Sequence, residues 1–302
     1  MYPGKPLITK VIMSALTFIL ILACELGNGL MFAVIARFKS LRTIQNILIA
    51  NLCLVDFLSA VIAFTMYMIY TVLEAGWFRG KALGILTCGF DRLFATLNLL
   101  SMLVILVNKY LAISYGFKYL AWKTKTNAVI CISLVWFVSI ISTVSSLILL
   151  SDINLGDAHV IHYRTEIFKQ GKLFVAATRA FFVSFAVILS CLTARAIQME
   201  KKKVPNYVLM NLCATQAVAR LKQDLKAIKT IFITIAAYLF CHIPVVVFAT
   251  IGLQEVNQAQ MWFAFIAWYC AYFSSAVNPI IYYTRLPRVR CAVKQFLKDP
   301  FG

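Results

Sequence analysis

"FSSAVNPIIYYTRLPRVR", Phe273 to Arg290, places an amide beside a proline, Asn278–Pro279, in a stretch otherwise apolar enough to cross a membrane. Arg285, Arg288 and Arg290 follow at once. A proline inside a helix costs roughly 3 kcal/mol, and a buried amide must find hydrogen-bond partners. Pro279 also leaves the carbonyl one turn earlier without its usual N–H, a place for water or a polar neighbour. The stretch therefore reads as the end of a membrane-spanning helix that is broken on purpose.

The rest of the chain fits that setting. Of 302 residues, 62% are hydrophobic and only 13% charged, and the mean hydropathy is +0.85. That balance is far from the globular norm and indicates a membrane protein. Spanning the hydrocarbon takes roughly 20 apolar residues per helix. Seven such segments are read at about 8–36, 44–70, 86–113, 126–150, 172–198, 226–250 and 260–284. The first runs into Arg37, Lys39 and Arg42 without a small-residue cleavage pattern, so it is expected to be retained rather than removed as a signal peptide. No internal repeat, metal-ligand spacing or Gly-rich phosphate loop interrupts the pattern, and the chain reads as one all-α bundle.

The net charge of +18 sets orientation rather than nucleic-acid binding. With the amino terminus outside, the inner loops carry Arg37, Lys39, Arg42, Lys118, Lys123, Lys125, Lys201, Lys202, Lys203, Arg220 and Lys222. The tail adds Arg285, Arg288, Arg290, Lys294 and Lys298. The opposite side has fewer, so the positive-inside rule places the carboxyl terminus in the cytoplasm. Nine cysteines do not read as a disulfide framework. Most lie inside spans, where Cys acts as a small hydrophobe, and Cys213 and Cys291 fall on the reduced cytoplasmic side.

Ionisable groups within spans are costly and are functional candidates by default. They are Glu25, Asp56, Asp91, Arg92, Lys109, Arg179 and His242, joined by the amides of Asn28, Asn51, Asn98 and Asn278. All are expected to face the bundle interior. Asp91 precedes Lys109 by 18 residues, five helical turns and about 27 Å along the axis, so the two share one face of the third helix. Tyr272 lies seven residues before Pro279, two turns nearer the outside on a similar face.

These motifs form a familiar series. Gly27–Asn28, "NLCLVDFL" around Asp56, "SMLVILVNKYLAI" ending the third span, Trp136, "FCHIP" with Pro244, and "NPIIY" from Asn278 to Tyr282 follow one another in order. Over nearly its whole length the chain resembles the rhodopsin-like family of seven-helix, G-protein-coupled receptors. That resemblance implies a seven-transmembrane helix bundle followed by a short amphipathic eighth helix, at about 287–298. It also implies that the Asn-Pro break lets the seventh helix distort, with Tyr282 swinging inward on activation.

In the resemblance, Asp56 with Asn98, Ser275 and Asn278 holds a sodium ion in the inactive state; a water-filled structural knot is the plainer alternative. Asn28, Asp56, Asn98, Ser274, Ser275 and Asn278 are the expected members of the network. Lys109, before Tyr110, stands where the family carries an Arg that pairs with an acid on the sixth helix and later meets the G protein. Asp224, 20 residues before Pro244, lies where that acid is expected. Asn108 replaces the usual Asp, and Lys is a point charge rather than a planar fork; snorkelling of Lys109 to the interface is the simpler alternative.

In the amine-binding branch, an Asp and a Tyr at the positions of Asp91 and Tyr272 hold the ligand's ammonium. A carboxylate among aromatic rings suits that role, and Phe90, Trp268, Tyr269 and Phe265 are the expected rings. An internal ion pair of Asp91 with Arg179, or with Arg92, is the competing reading, and a receptor for a cationic peptide is a third. In the fifth-helix segment "TRAFFVSFAV" Arg179 stands where small hydroxyls would help hold a ligand, and only Ser184 and Thr178 are available there. His242 stands where the family usually has Trp. A satisfied core histidine is the expected account, with a bond toward the Asp56 network or a titrating switch as the alternatives.

Other departures are the lack of Pro and Tyr in 172–198, Gly84 in place of a third-helix Cys with Cys88 one turn too deep, and Gly116 in the second inner loop. Trp77 fits the first outer loop. No Lys in 260–284 can bond retinal, which sets light sensing aside. Few residues precede the first span, so ligands are expected to reach into the bundle.

The expected protein is a multi-pass plasma-membrane receptor, not an enzyme. It would couple a small extracellular ligand, of biogenic-amine type, to a heterotrimeric G protein, among membrane lipids and without a cofactor other than the sodium ion. A small-peptide or lipid receptor and a weakly coupling receptor partner are the alternatives. A transporter lacks its inverted repeats. The short basic loop at about 199–225, with Lys109 and the eighth helix, would face the G protein, and Cys291 is a palmitoylation candidate.

Overall fold

The computed structural model describes residues 6–73, 81–115, 119, 122, 124–151, 184–185, 187–189, 191–196, 198–199, 233–234, 236–247 and 258–299, and every regular element among them is helical. Helix α1 is Leu7–Arg37. Helix α2 is Ile44–Ser59 and runs on through wide π-helical turns at Ala60–Phe64 and Met68–Val72. Helices α3, Lys81–Ser114, and α4, Lys125–Ser151, follow. The shorter apolar helices α5, Val187–Ala196, and α6, Ala236–Val247, lie within the fifth and sixth expected spans. Helix α7 is Gln258–Arg285 and α8 is Pro287–Lys298.

Among the described residues α1, α2, α3, α4 and α7 are long and apolar enough to cross a membrane. The third helix begins five residues before the expected 86, because Lys81 to Gly84 add a first turn outside the apolar run. The eighth helix matches its expected 287–298.

Two apolar clusters make the core, one above the other. Met31, Val34, Leu48, Leu52, Met102, Leu106, Tyr282 and Val289 belong to the one beside α8. Met13, Leu20, Cys24, Phe64, Phe94, Leu97, Phe265 and Trp268 belong to the other. On α1, α2, α3 and α7 the changeover falls at Asn28, Asp56, Asn98 and Asn278, which are all buried. The polar residues therefore form a layer between two apolar halves.

The outward face of α4 is apolar, with Val129, Leu134 and Phe137 exposed. Its hydroxyls turn back on their own helix: Ser139 donates to the Val135 carbonyl at 2.7 Å and Thr143 to Ser139 at 2.8 Å. In hydrocarbon this local pairing spares the hydroxyls an unmet bond.

Proline 279 dictates how α1 meets α7. Having no N–H, it cannot donate to the carbonyl of Ser275, four residues back. Asn28 fills that gap, donating its side-chain amide to the Ser275 carbonyl at 3.0 Å and sharing it with the Cys24 carbonyl at 3.0 Å. The preceding Gly27 makes the approach possible: a Cβ there would stand 3.0 Å from Cγ and 3.2 Å from Cβ of Pro279. One residue admits the proline ring and the next covers the carbonyl it exposes.

The turn from α7 to α8 has a similar logic. Leu286 is extended, as the residue before a proline prefers, and Pro287 opens α8, where its missing N–H costs nothing. Arg290 reaches back to the last carbonyls of α7, Thr284 at 2.7 Å and Tyr283 at 3.3 Å. Val289, Ala292 and Val293 are buried beneath, and the Arg37 guanidinium sits 5.8 Å over the Phe296 ring.

Gly27→Leu should force α1 away from Pro279 and cost about 1–3 kcal/mol, as overpacking does. A lower thermal-inactivation midpoint of the detergent-solubilised protein is expected, with Gly27→Ala much milder. An unchanged midpoint for Gly27→Leu would show that the two helices do not depend on this contact.

Candidate functional site

The polar layer is built around the Asp56 carboxylate, which is fully buried. A charge at that depth survives only with donors around it. Ser275 donates its hydroxyl to Oδ1 at 2.6 Å, Asn278 its amide to Oδ2 at 2.8 Å, and Asn98 a further amide bond to Oδ1. Asn98 and the Ser275 hydroxyl are also 3.5 Å apart. The structure thus brings Asp56, Asn98, Ser275 and Asn278 together.

Two expected members behave differently. Ser274 donates to the Ala271 carbonyl of its own helix at 2.6 Å, so only one of the adjacent serines reaches the carboxylate. Asn28 touches the layer through the Ser275 backbone rather than through Asp56. The side-chain oxygens of Asn28 and Asn98 are buried and meet no donor. The orphaned Asn98 oxygen, on an amide that meets the carboxylate and the Ser275 hydroxyl, makes with them an oxygen-only set, of the kind that suits a hard cation rather than a transition metal. The residues present fit a sodium ion.

Asp91 of α3 and Tyr272 of α7 form the second centre, and both are buried. Tyr272 donates its hydroxyl to Asp91 Oδ1. Around the Tyr272 ring stand Phe64 at 3.8 Å between centroids, Tyr67 at 5.6 Å and Trp268 at 6.2 Å. Phe265 pairs with Tyr269 at 5.7 Å and with Trp262 at 6.0 Å, while Phe90 stacks on Phe94 at 6.4 Å. Trp268 is therefore in the Tyr272 cluster, and Phe265, Tyr269 and Phe90 extend the same apolar half.

Phe64 and Tyr67 were not anticipated. Their three-residue spacing in "AFTMY" was the available signal, but the wide turns that surround it are not foreshadowed by any Pro or Gly between 57 and 72. Thr65 helps to hold the first turn by donating to the Ala60 carbonyl at 3.1 Å. Arg179, Thr178 and Trp77 lie outside the described residues, and Ser184 is exposed.

At the α8 end Lys109 is only 9% exposed, too little for a side chain that snorkels into the headgroups. Asp224 and the loop from 200 to 225 lie outside the described residues. Asn108 accepts the Tyr119 hydroxyl. Burial pushes the Tyr119 phenol above its ordinary value and the Asn108 bond opposes that shift, so at neutral pH Tyr119 stays protonated and donates. Tyr110 packs against the core beside α8. Tyr282 is buried and hydrogen-bonded to Thr234, which ties α7 to the sixth span.

His242 does not reach toward Asp56. Its Nδ1 lies 2.9 Å from the Tyr238 carbonyl and its ring stacks on Tyr238 at 3.9 Å, one turn back on α6, ahead of half-buried Pro244. Asn51 knits three helices, accepting from Trp136 Nε1 at 3.1 Å and donating to Ser101 at 3.0 Å.

The family description "7 transmembrane receptor (rhodopsin family)" matches residues 27–282. The chain belongs to the rhodopsin family of seven-transmembrane receptors. It is similar to the trace amine-associated receptor 8 of Homo sapiens, 25% identical over 98% of this chain and 88% of that protein. Similarity to the trace amine-associated receptor 13c of Danio rerio is 26% over 85% of this chain and 77% of the relative. For the alpha-1A adrenergic receptor of Oryzias latipes it is 24% over 93% of this chain, which spans 65% of that protein's length. As a receptor of this family, the protein is a multi-pass membrane protein with a small ligand and a G protein as its partners.

Asn98→Leu should destabilise the receptor well beyond Ser274→Ala. The first removes a donor from a buried carboxylate, about 1.5–3 kcal/mol for a bond to a charged group, and the second only a bond within one helix. Equal thermal shifts for the two variants would contradict this division of roles.

Proposed function

We propose that the receptor's ligand is a biogenic amine whose ammonium is held by Asp91. The supporting observation is the Tyr272 hydroxyl that fixes the Asp91 carboxylate among Phe64, Tyr67 and Trp268. A carboxylate there offers a charge-assisted hydrogen bond, and the rings offer π faces to the same cation. The names of the relatives, trace amine and adrenergic receptors, agree with it.

The amino terminus is outside and the α8 end in the cytoplasm, by the distribution of Lys and Arg. The ligand shifts the bundle by preferring one of its states, and the change reaches the α8 end through the polar layer and the Tyr282–Thr234 bond. Asp56, Asn98, Ser275 and Asn278 hold a sodium ion in the inactive state. A bound ion supplies positive charge beside Asp56 and occupies the oxygens that the active arrangement needs to regroup.

A panel of biogenic amines on cells expressing the receptor with a promiscuous G protein tests the ligand. Asp91→Asn should raise the effective concentration at least about 30-fold, the equivalent of ~2 kcal/mol for losing one partner of a charge pair. Tyr272→Phe should raise it several-fold. Silence of every amine, with wild-type receptor at the surface, would reject the reading and turn the search to small peptides and lipids.

Sodium is tested separately. Exchanging sodium for N-methylglucamine at constant ionic strength should strengthen agonist binding to the wild type and leave Asp56→Asn unmoved. Equal sodium sensitivity in both would place the ion elsewhere.

A further inference from the structure

Helix α1 carries a single acid, Glu25, and neither polar centre uses it. It lies 12 residues before Arg37, about 18 Å along the axis, and three residues from Asn28 of the polar layer. That is mid-span, where a carboxyl, charged or protonated, is costly until it finds a partner.

No partner stands beside it. Among the described residues the Glu25 carboxyl makes no hydrogen bond and no ion pair. Helix α1 packs against α2, α7 and α8. Along α1 and α7 the basic residues keep to the ends: Lys10 and Arg37 on the first, Arg285 on the second. Residues 44 to 72 of α2 and its wide turns contain none. The cation that would answer Glu25 is therefore missing from its surroundings.

The side chain lies at the edge of the lipid-facing side of α1. Glu25 is half-buried, whereas Phe18 and Phe32, seven residues to either side, are exposed, as is Leu22. Steps of seven, with three or four between, keep these four residues on one seam, the spacing by which two helices pack side by side. Toward α2 the seam ends at Gly29, where a Cβ would stand 3.3 Å from the Phe57 ring. Val61, four residues beyond Phe57, is exposed again. A second helix laid along the seam rests on α1 beside α2, with Glu25 at the middle of the contact. Lipid tails are as apolar as Leu, so in the bilayer a polar contact decides which helices associate.

We propose that this seam receives a membrane-spanning helix of another protein, bearing a Lys or Arg at the depth of Glu25. Charge complementarity selects that occupant. A second copy of the receptor inserts in the same orientation, so a symmetric contact along the seam sets Glu25 against Glu25, like against like. A basic side chain instead gives the carboxyl a charge-assisted hydrogen bond. One polar contact at a heptad position also fixes the depth and register of the partner helix.

Full-length receptor in phosphatidylcholine vesicles tests this with synthetic leucine helices of about 22 residues, long enough to span. The central residue is Lys, Leu or Asp, and a photoreactive leucine sits next to it. The Lys helix should label the 18–32 segment saturably, at least about fivefold more than the Leu or Asp helix. Glu25→Leu should abolish that difference. Leu22→Trp, on the seam, should weaken the Lys helix, whereas Ile19→Trp, off it, should not. The Glu25 carboxyl bonds to nothing within the receptor, so Glu25→Leu should not lower the thermal-inactivation midpoint. A lower midpoint would reveal an internal partner and overturn the proposal. Equal labelling by the three helices, or undiminished labelling of Glu25→Leu by the Lys helix, overturns it too. Receptor–receptor energy transfer in helix-free vesicles that Glu25→Leu removes would give the seam to a second copy and likewise overturn it.

Discussion

The bundle's organisation depends on one missing hydrogen bond. Pro279 cannot serve the Ser275 carbonyl, and in hydrocarbon an unserved carbonyl costs several kcal/mol. The solution comes from another helix: Asn28 supplies the donor and Gly27 the room. This fixes α1 against α7 and holds Ser275 where its hydroxyl meets Asp56. The Asn278 amide, beside the proline, meets the other oxygen of the same carboxylate. Proline, glycine, two asparagines, a serine and an aspartate thus answer one another in sequence positions 27 to 279.

A polar layer so placed has mechanical consequences. The apolar halves on either side gain from burial in any arrangement that keeps them packed, and apolar packing is largely non-directional. Hydrogen bonds to a buried carboxylate are directional and few, so rearranging them is discrete. The Asp91–Tyr272 pair lies in one half and the Tyr282–Thr234 pair in the other, both engaging α7. A change at one end of α7 therefore passes the Asn-Pro break before it reaches the other. The break makes α7 the compliant member, whereas Asn51 with Trp136 and Ser101 holds α2, α3 and α4 together.

Much of this was legible because helical arithmetic is reliable over whole turns. Counting five turns from Lys109 found Asp91, and two turns from Pro279 found Tyr272; the two side chains meet. Arithmetic fails where a helix departs from its period. The wide turns of α2 shift Phe64 and Tyr67 toward Tyr272 without a Pro or Gly to announce them. It also fails between neighbours: Ser274 and Ser275 lie four and three residues before Asn278, both admissible by count, and Ser275 is the one that meets Asp56. Membrane composition made the spans plain, but polar partners across helices depend on packing that composition does not encode. Hence His242 left open a bond toward the Asp56 network beside the expected satisfied core position, and packing decides for the latter, closing it on Tyr238 of its own helix.

The substitution at 108 is best understood by what an amide keeps and what it gives up. As an acceptor for the Tyr119 hydroxyl, the side-chain oxygen of Asn108 replaces one oxygen of a carboxylate. It does so without a charge, and the contact between α3 and its connection to α4 no longer depends on a proton that a carboxylate gains or loses. The amide also adds N–H donors, which a carboxylate lacks. Beside it Lys109 is a compact cation held in a largely buried setting, without the planar, two-pronged geometry of a guanidinium. At position 108 the end of α3 thereby carries a neutral hydrogen bond to its connection with α4 where an acid would place a charge directly beside Lys109.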